Sequence, residues 1–593
     1  MSKTCLLALL LGSLAVLSAQ YPTTMAPPVR ATHDMVAAAN NFEVEAGYRI
    51  LTEGGNAVDA GVASVLAASV TELSRFGLGG EMPLLIKMSG QPTIAISGVG
   101  VAPAKATVEF YKHRSPEPWE EPNTMPPVPV QGILSAITPG VFDGLILALE
   151  KYGTKSFAQV VEPAIGYASE GFPMPEEFGG MLRSYQRIIA LWPDATKFFY
   201  PVGQPTPRGE IFREPSLAQT FRELANAEKK AHGNRQAKLR AVRDLFYKGD
   251  IARRIATFSE NNRGLIAYSD LANYHAEIDE PKVGIYRGYQ VYKPGFWTQG
   301  PVMIEALNLL EGYDLKAMGH NSPQYLHTVV EAVKLAFADR DAYYGDPKFS
   351  KIPEEILLSK EYAAERRKLI DPEHASMEHR PGNLNMPLAL PSTSASAAAG
   401  AVNDTTCVNV VDSQGNAFSA TPSGAWLPSV IAGDTGIPFT SRLQSFVMTP
   451  GHPNQLQPGK RPRVTLSPTL VTRDGKLEMI LSTPGGDNQD QALIQVLLNI
   501  IEFQMTAQEA VEAPRFQTEH LFSSFGNHEF TPGRLNLEAR IPIATGDALR
   551  ALGHRVALTG DWSNSSAPTV IWVHDGVLNG GADPRRARFV FGR

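Results

Sequence analysis

The chain has 593 residues, of which 43% are hydrophobic and 19% are charged, and its formal net charge is −6 at pH 7. This length is enough for two to four ordinary domains or for one large unit with an ample core. The mildly acidic balance argues against a nucleic-acid partner, because phosphate binding needs clustered Lys and Arg. In the densest basic stretch, 229–243, the cations of its second half interleave with Leu and Val, which predicts the solvated face of a surface helix.

The first nineteen residues predict a signal peptide. One Lys near the start is followed by an apolar run that ends in small residues, slightly short for a membrane span. No later segment approaches eighteen uninterrupted apolar residues, so we expect no integral membrane segment in the mature chain. The mature protein is therefore expected to start near residue 20 and to be exported, either periplasmic or secreted.

The part before residue 404 is predicted to be rich in helices. An imperfect helical pattern covers 33–51, and G-G-N-A-V-D-A at Gly54–Ala60 is typical of a helix stop followed by a new start. R-F-G-L-G-G-E at 75–81 is a glycine turn that leads into a strand at 82–87. In a nucleotide-binding fingerprint a strand precedes the glycines and a helix follows them, so a phosphate-binding loop is rejected here. Further helical patterns cover 140–151, 156–169, 216–227, 235–247, 303–311 and 323–344.

A β-hairpin is predicted directly after a stretch of small residues. The stretch, 388–402, is poorly suited to an ordered core element. The hairpin consists of a strand at 408–411, the turn D-S-Q-G-N at 412–416, and a returning strand at 417–421.

The junction between this stretch and the hairpin suits an N-terminal nucleophile hydrolase, in which the chain cuts itself before a Thr. The freed α-amine of Thr405 would then serve as the base for the hydroxyl of the same residue. The alternative is that Thr405 and Thr406 are ordinary β-branched residues at the start of a strand. The hairpin alone leaves both interpretations open.

The remainder of the chain is predicted to contain more strands. Strands are expected at 467–472 and 477–481, an apolar helix at 492–503, and a closing hairpin at 568–578.

Cysteine and histidine usage predicts no disulfide and no metal site. The only cysteines are Cys5, in the predicted signal peptide, and Cys407. Cys407 lies two residues into the strand that Thr405 opens, cannot carry the terminal amine, and is interpreted as core filling. The thirteen His do not pair with Cys or carboxylates at zinc spacing, and we expect no cofactor.

Nine motifs together resemble the γ-glutamyltransferase family, also called glutathione hydrolases, in the order that this family has. They span nearly the whole mature chain: Gly54–Ala60, Ala102–Ala106, Thr138–Gly144, Phe246–Ala252, Glu331–Pro347, Asp404–Thr406, Pro458–Thr469, Thr483–Gly486 and Gly581–Arg585. The resemblance implies an α+β fold of the N-terminal nucleophile hydrolase type, a four-layer αββα sandwich. It also implies an α/β heterodimer from one precursor, with a large subunit of residues 20–404 and a small subunit of residues 405–593.

The resemblance also implies the catalytic residues. Cleavage between Asp404 and Thr405 would leave Thr405 as the nucleophile, and Ser423 stands where the family has a Thr whose hydroxyl contacts the nucleophile. Gly485 and Gly486 match the turn that binds the oxyanion. A Pro-Gly-Gly turn is suited to this, because its backbone N–H groups can approach a developing oxyanion without obstruction by side chains.

The positions that hold the glutamyl group depart from the family pattern. Val99 stands where the family has an Arg that binds the α-carboxylate. The paired serines are replaced by Val464 and Thr465. The ligands of the α-amino group are replaced by Ala425, Arg442 and Ser445. Arg442 would meet that cationic group with like charge.

The sequence thus predicts an exported, self-processing amidase or acyltransferase that acts on a small-molecule amide through an acyl-enzyme. The resemblance implies γ-glutamyl hydrolysis or transfer, as in glutathione metabolism. The alternatives are an amidohydrolase for a different anionic acyl group and an uncleaved, non-catalytic binding protein. Arg442 and Arg463 are the cations left for an anionic acyl group, unless both bind structural carboxylates.

Overall fold

The computed structural model describes residues 24–123, 125–392 and 404–593. The predicted signal peptide and most of the small-residue stretch, 393–402, lie outside the described residues. The strands are β1 Val29–Ala31, β2 Met35–Ala38, β3 Met82–Lys87, β4 Thr93–Gly98, β5 Phe172–Pro173, β6 Ile211–Phe212, β7 Glu277–Asp279, β8 Lys282–Tyr286, β9 Tyr289–Lys293, β10 Val408–Val411, β11 Ala417–Ala420, β12 Thr469–Arg473, β13 Lys476–Ser482, β14 Phe516–Thr518, β15 Arg534–Glu538, β16 Arg555–Thr559, β17 Thr569–His574, β18 Val577–Ala582 and β19 Phe589–Gly592.

Two seven-stranded sheets lie at the centre of the fold. The first has the strand order β19-β2-β10-β11-β3-β4-β7, and the second has the order β1-β18-β17-β13-β12-β9-β8. All neighbouring strands within these two sheets are antiparallel. Both sheets combine strands from before and after residue 404, so the two parts of the chain form the same two sheets.

The α-helices cover the outer faces of the sheets. Their ranges are Asn41–Thr52, Ala57–Thr71, Val108–His113, Val141–Tyr152, Phe157–Glu170, Glu176–Ile189, Pro193–Phe199, Pro215–Lys230, Arg235–Tyr247, Asp250–Asn261, Tyr268–Ala272, Pro301–Leu310, Leu315–Met318, Pro323–Tyr343, Glu354–Leu357, Lys360–Arg367, Asn488–Ile501, Ala507–Glu512 and Ile543–Ala551. Most of the helices before Pro301 pack on the first sheet, and those from Pro301 onward pack on the second.

A separate apolar core lies between the two sheets. Leu85 and Val411 of the first sheet meet Leu470, Ile480 and Ile571 of the second there. Together with the two helix-facing cores, this gives four layers in the order helix, sheet, sheet, helix. The predicted αββα sandwich is therefore confirmed.

The hairpin was predicted correctly, whereas one of its neighbours was not. Val408 pairs with Ala420 and Val411 with Ala417 across β10 and β11. The segment Met35–Ala38 was included in a predicted helix, but it forms strand β2 between β10 and β19. The prediction failed because a short, uniformly apolar run has no readable period, and pairing on both sides overrides the helix propensity of alanine.

Truncating Ile480 should destabilise the protein. Its side chain is fully buried between the sheets, so Ile480→Ala should lower the free energy of unfolding by about 2–5 kcal/mol through lost burial and a residual cavity. The matched change Ile543→Ala, at a side chain that is 66% exposed, should cost less than about 0.5 kcal/mol. Chemical unfolding of both variants measures the difference, and equal losses would contradict the placement of this core.

Candidate active site

Four strand ends of the first sheet meet at one edge. Thr405 lies before β10, Ser423 after β11, Glu81 before β3 and Val99 after β4. Ser423 forms isolated bridges with both Thr405 and Glu81. The pairing of Met82 with Gly98 extends the same edge to Val99. The register of the sheet thus brings together residues more than 300 positions apart.

The hydroxyl of Thr405 lies in a buried polar environment. Its Oγ1 is 3.2 Å from Oγ of Ser423 and accepts a hydrogen bond of 3.3 Å from Nε2 of Gln489. Gln489 lies in the first turn of the helix that follows the glycine turn, and its backbone N–H donates to the carbonyl of Gly486. Thr405, Ser423 and the glycine turn are therefore brought into one site.

The glycine turn has a backbone that requires glycine. Gly485 has φ +124° and Gly486 has φ +57°, and a Cβ on Gly485 would lie 3.2 Å from Cα of Ser566. Within the part of the chain that the structure describes, neither amide N–H of this pair donates a hydrogen bond. Two donors are thus left for an oxygen atom of a reacting group.

The peptide bond between Asp404 and Thr405 is held on both of its sides. The Asp404 carboxylate accepts from Nε of Arg75 at 2.6 Å, from Nη1 of Arg586, and from the backbone N–H of Thr405 at 2.8 Å. Burial raises the pKa of Asp404, but Arg586 and Arg75 outweigh this effect and hold the pKa below its ordinary value. Asp404 is therefore ionised at neutral pH, and its ion pairs fix the residue directly before Thr405.

The Asp404 carbonyl has two side-chain donors. The Ser423 hydroxyl donates to it at 2.8 Å, and the indole Nε1–H of Trp426 donates to it as well. The sequence analysis did not predict Trp426 as a site residue, because the neighbouring residues do not indicate which acceptor its indole N–H binds.

Arg442 is buried and already paired. Its Nε donates to Oε1 of Glu81 at 2.5 Å, and its guanidinium lies 4.4 Å from the ring centroid of Trp426. Burial lowers the pKa of Arg442 and raises the pKa of Glu81, and each partner opposes the shift of the other. The sequence analysis did not predict Glu81 as a site residue, because the pattern of 75–81 indicates only a glycine turn.

Arg463 also has structural partners. Its Nη1 lies 3.8 Å from Asp341, and its Nη2 donates to Oγ of Ser524 at 3.1 Å. Burial lowers the pKa of Arg463 to about 10. Both arginines thus meet carboxylates of the protein, as the second of the two sequence interpretations supposes.

Two of the positions where the resemblance implies a carboxylate clamp are apolar in this chain. Val99 and Val464 pack in one buried cluster with Trp297 and Leu466. Thr465, between two of these residues in sequence, is 1% exposed. Oγ of Ser445 is buried and has no hydrogen-bond partner among the described residues.

Cys407 packs in the core. Its Sγ lies 3.6 Å from Oγ1 of Thr569, and burial raises the pKa of the thiol. The thiol therefore stays protonated near neutral pH and is a poor nucleophile.

One group of possible metal ligands occurs among the described residues, and it includes the first residue of the Glu331–Pro347 motif. It consists of His327, Glu331 and His554. The two imidazoles are hydrogen-bonded to each other at 2.9 Å, and the Glu331 carboxylate pairs with Lys334 and Arg380. Two cations already neutralise that carboxylate, which makes it unsuited to binding a third.

None of the helices in the described ranges is both long and apolar enough to cross a bilayer.

Comparison with known proteins identifies the family. The profile of the Gamma-glutamyltranspeptidase family matches residues 44–592. The glutathione hydrolase proenzyme of Escherichia coli (strain K12) is 34% identical over 574 residues, covering 94% of this chain and 91% of that protein. The acylase ACY 1 proenzyme of Pseudomonas sp. (strain SE83) is 32% identical over 558 residues, covering 94% and 92%.

Solved structures agree with this assignment. The crystal structure of a cephalosporin acylase from Bacillus halodurans has a TM-score of 0.83 at 29% identity, covering 97% of this chain and 98% of that one. The fold is thus that of the N-terminal nucleophile hydrolases. The chain belongs to the γ-glutamyltranspeptidase family.

Removing the carboxylate partner of Arg442 should strongly destabilise the protein. Glu81→Gln leaves a buried guanidinium without its counter-charge, which costs about 3–5 kcal/mol in comparable pairs. The double variant Glu81→Gln/Arg442→Met removes both charges and should recover most of this loss. Chemical unfolding of the single and double variants measures it. A single variant as stable as the parent would show that the pair is not charged.

Proposed function

We propose that the protein is a self-processing amidohydrolase with Thr405 as its nucleophile. The observation that carries this proposal is the placement of the Thr405 hydroxyl against Ser423 and Gln489. The adjoining glycine turn has two backbone N–H groups that donate no hydrogen bond within the described residues. Self-cleavage between Asp404 and Thr405 would free the α-amine beside this hydroxyl.

The reaction follows from these parts. The freed α-amine of Thr405 takes the hydroxyl proton while Oγ1 attacks the amide carbonyl, and the N–H groups of Gly485 and Gly486 bind the oxyanion. The amine then returns the proton to the leaving nitrogen. Water resolves the acyl-enzyme by hydrolysis, or an amine resolves it by transfer. Ser423 orients the nucleophile through its hydroxyl.

The mature protein is proposed to be exported after removal of residues 1–19, and to consist of a subunit of residues 20–404 and one of residues 405–593. The relatives that match over nearly the whole chain carry the word proenzyme in their names, which supports processing into two chains. Each of the two central sheets contains strands of both subunits, so the subunits would stay associated after cleavage.

The proposed substrate is an amide whose acyl group differs from γ-glutamyl. The cluster of Val99, Trp297 and Val464 replaces the polar clamp, and Arg442 is neutralised by Glu81. We assign the polar contacts of the acyl group to the hydroxyls of Ser445 and Thr465. Arg442 is proposed to act on the site indirectly, through Ser423 and Trp426, which its guanidinium contacts.

The second candidate is γ-glutamyl hydrolysis or transfer. It is favoured by the 34% identity with a glutathione hydrolase over nearly the full length of both chains. The apolar clamp positions argue against it, because the α-carboxylate of a glutamyl group would enter the site without a cationic partner.

Thr405→Ala should remain one full-length chain and be inactive, because it lacks the hydroxyl that attacks both the chain and the substrate. Cys407→Ser is the matched control: it changes a side chain two residues away that takes no part in the proposed reaction, and this variant should still cleave. A denaturing gel and N-terminal sequencing of the small fragment measure the outcome. A fragment that begins anywhere but Thr405, or cleavage of Thr405→Ala at the parental rate, would contradict the assignment.

The mature protein should hydrolyse γ-glutamyl anilide more slowly than anilides of short, less polar acids. A hydrogen bond to a charged group contributes about 1.5–3 kcal/mol. Val99 cannot donate such a hydrogen bond to the α-carboxylate of the glutamyl group. The loss of this hydrogen bond should therefore lower kcat/KM for the glutamyl compound by a factor of about 10 to 100.

The double variant Val99→Arg/Val464→Ser, which restores a cation and a hydroxyl, should narrow this gap. Equal kcat/KM values for the glutamyl anilide and the best other anilide in the parent protein would favour the second candidate.

A further inference from the structure

The carbonyl oxygen of Asp404 is surrounded by hydrogen-bond donors, as an oxygen that gains negative charge in a reaction would be. It receives hydrogen bonds from the Ser423 hydroxyl and from the indole N–H of Trp426, and all three residues are buried. A backbone carbonyl oxygen can accept two hydrogen bonds, and here both come from side chains. Two convergent side-chain donors on the carbonyl of the bond proposed to break resemble an oxyanion hole.

We propose that Trp426 is a catalytic residue of self-cleavage, and that its indole N–H and the Ser423 hydroxyl form the oxyanion hole of that reaction. This inference rests on the proposed cleavage between Asp404 and Thr405. It assigns the self-cleavage step to donors that differ from Gly485 and Gly486, which serve the substrate reaction.

The contacts define a route for the protons. Oγ1 of Thr405 forms a bond to the Asp404 carbonyl carbon, and its proton passes to Oγ of Ser423, 3.2 Å away. Ser423 gives its own proton to the carbonyl oxygen, to which it already donates. Trp426 keeps its proton and stabilises the negative charge that this oxygen carries in the transition state, before the proton of Ser423 has fully transferred.

The remaining steps restore the atoms of the site. The bond between carbon and nitrogen breaks, and the proton on the former carbonyl oxygen passes to the nitrogen, leaving an ester between Asp404 and Thr405. Water attacks this ester. Asp404 is released with a free carboxyl group, and Thr405 regains its hydroxyl and gains a free α-amine.

The indole is held in place by its neighbours. One face of Trp426 carries the guanidinium of Arg442, and its ring meets Phe525 edge-on with centroids 5.6 Å apart. The Asp404 carboxylate is fixed by Arg75 and Arg586 on the other side of the peptide unit. A donor and an acceptor that are both fixed need no reorganisation when charge develops, which is the condition for electrostatic catalysis.

The test removes the indole N–H of Trp426 and keeps an aromatic ring at this position. Full-length precursor is made by cell-free synthesis, and its conversion to two fragments is followed with time on a denaturing gel. Trp426 is replaced by Phe and, separately, by benzothienylalanine, which keeps the bicyclic shape but has sulfur in place of N–H. Trp572→Phe, at a half-buried indole that stacks on His574 in β17, is the control for loss of a tryptophan.

Loss of one oxyanion donor should slow self-cleavage by a factor of about 100 or more. This should hold for both Trp426 variants, with an unchanged melting temperature, while Trp572→Phe cleaves at the parental rate. If Trp426→Phe fails to fold, the benzothienylalanine variant decides.

Cleavage of the benzothienylalanine variant within about threefold of the parental rate would overturn the role of Trp426, since a lost donor costs far more. In that case parental cleavage before Thr405 would leave the proposed function intact. A parent protein that does not cleave before Thr405 would overturn both.

Discussion

The ion pairs of Asp404 are the constraint on which the site depends. A buried carboxylate is tolerated only when it is paired, and breaking such a pair costs about 3–5 kcal/mol. Arg75 comes from the loop after the helix Ala57–Thr71, and Arg586 from the segment between β18 and β19. Asp404 therefore ties distant parts of the chain to the peptide bond before Thr405 and fixes the orientation of that bond.

A second buried pair organises the opposite side of the site. Arg442 is held by Glu81, and its guanidinium lies against Trp426 and within 3.4 Å of Oγ of Ser423. A cation in this position strengthens the two donors on the Asp404 carbonyl, while its own charge is matched by Glu81. The same pairing with Glu81 leaves Arg442 without a free charge for an anionic substrate, which supports the proposed preference for a less polar acyl group.

Local sequence patterns correctly predicted elements with a clear turn or capping motif. The hairpin of β10 and β11 was predicted from alternating residues around D-S-Q-G-N, and the helix start at Asn56 from a stop-and-cap pattern that the structure confirms. Strand β2 was missed because four apolar residues show no period. The four-layer arrangement came from the resemblance of nine motifs to a family, and not from the patterns themselves.

The sequence by itself determined the family and the fold class, because each depends on residues that are adjacent or follow a known order. It predicted that Thr405 opens a strand, whereas β10 begins at Val408 and Thr405 forms only an isolated bridge with Ser423. Only the tertiary structure decided which groups surround that Thr. Glu81, Trp426, Gln489 and Arg586 carry no local mark of function, and they meet because sheet register and buried charge pairing bring together segments up to several hundred residues apart. The partner of a buried charge is set by this three-dimensional register, so the pairing of Arg442 with Glu81 was visible only in the folded protein.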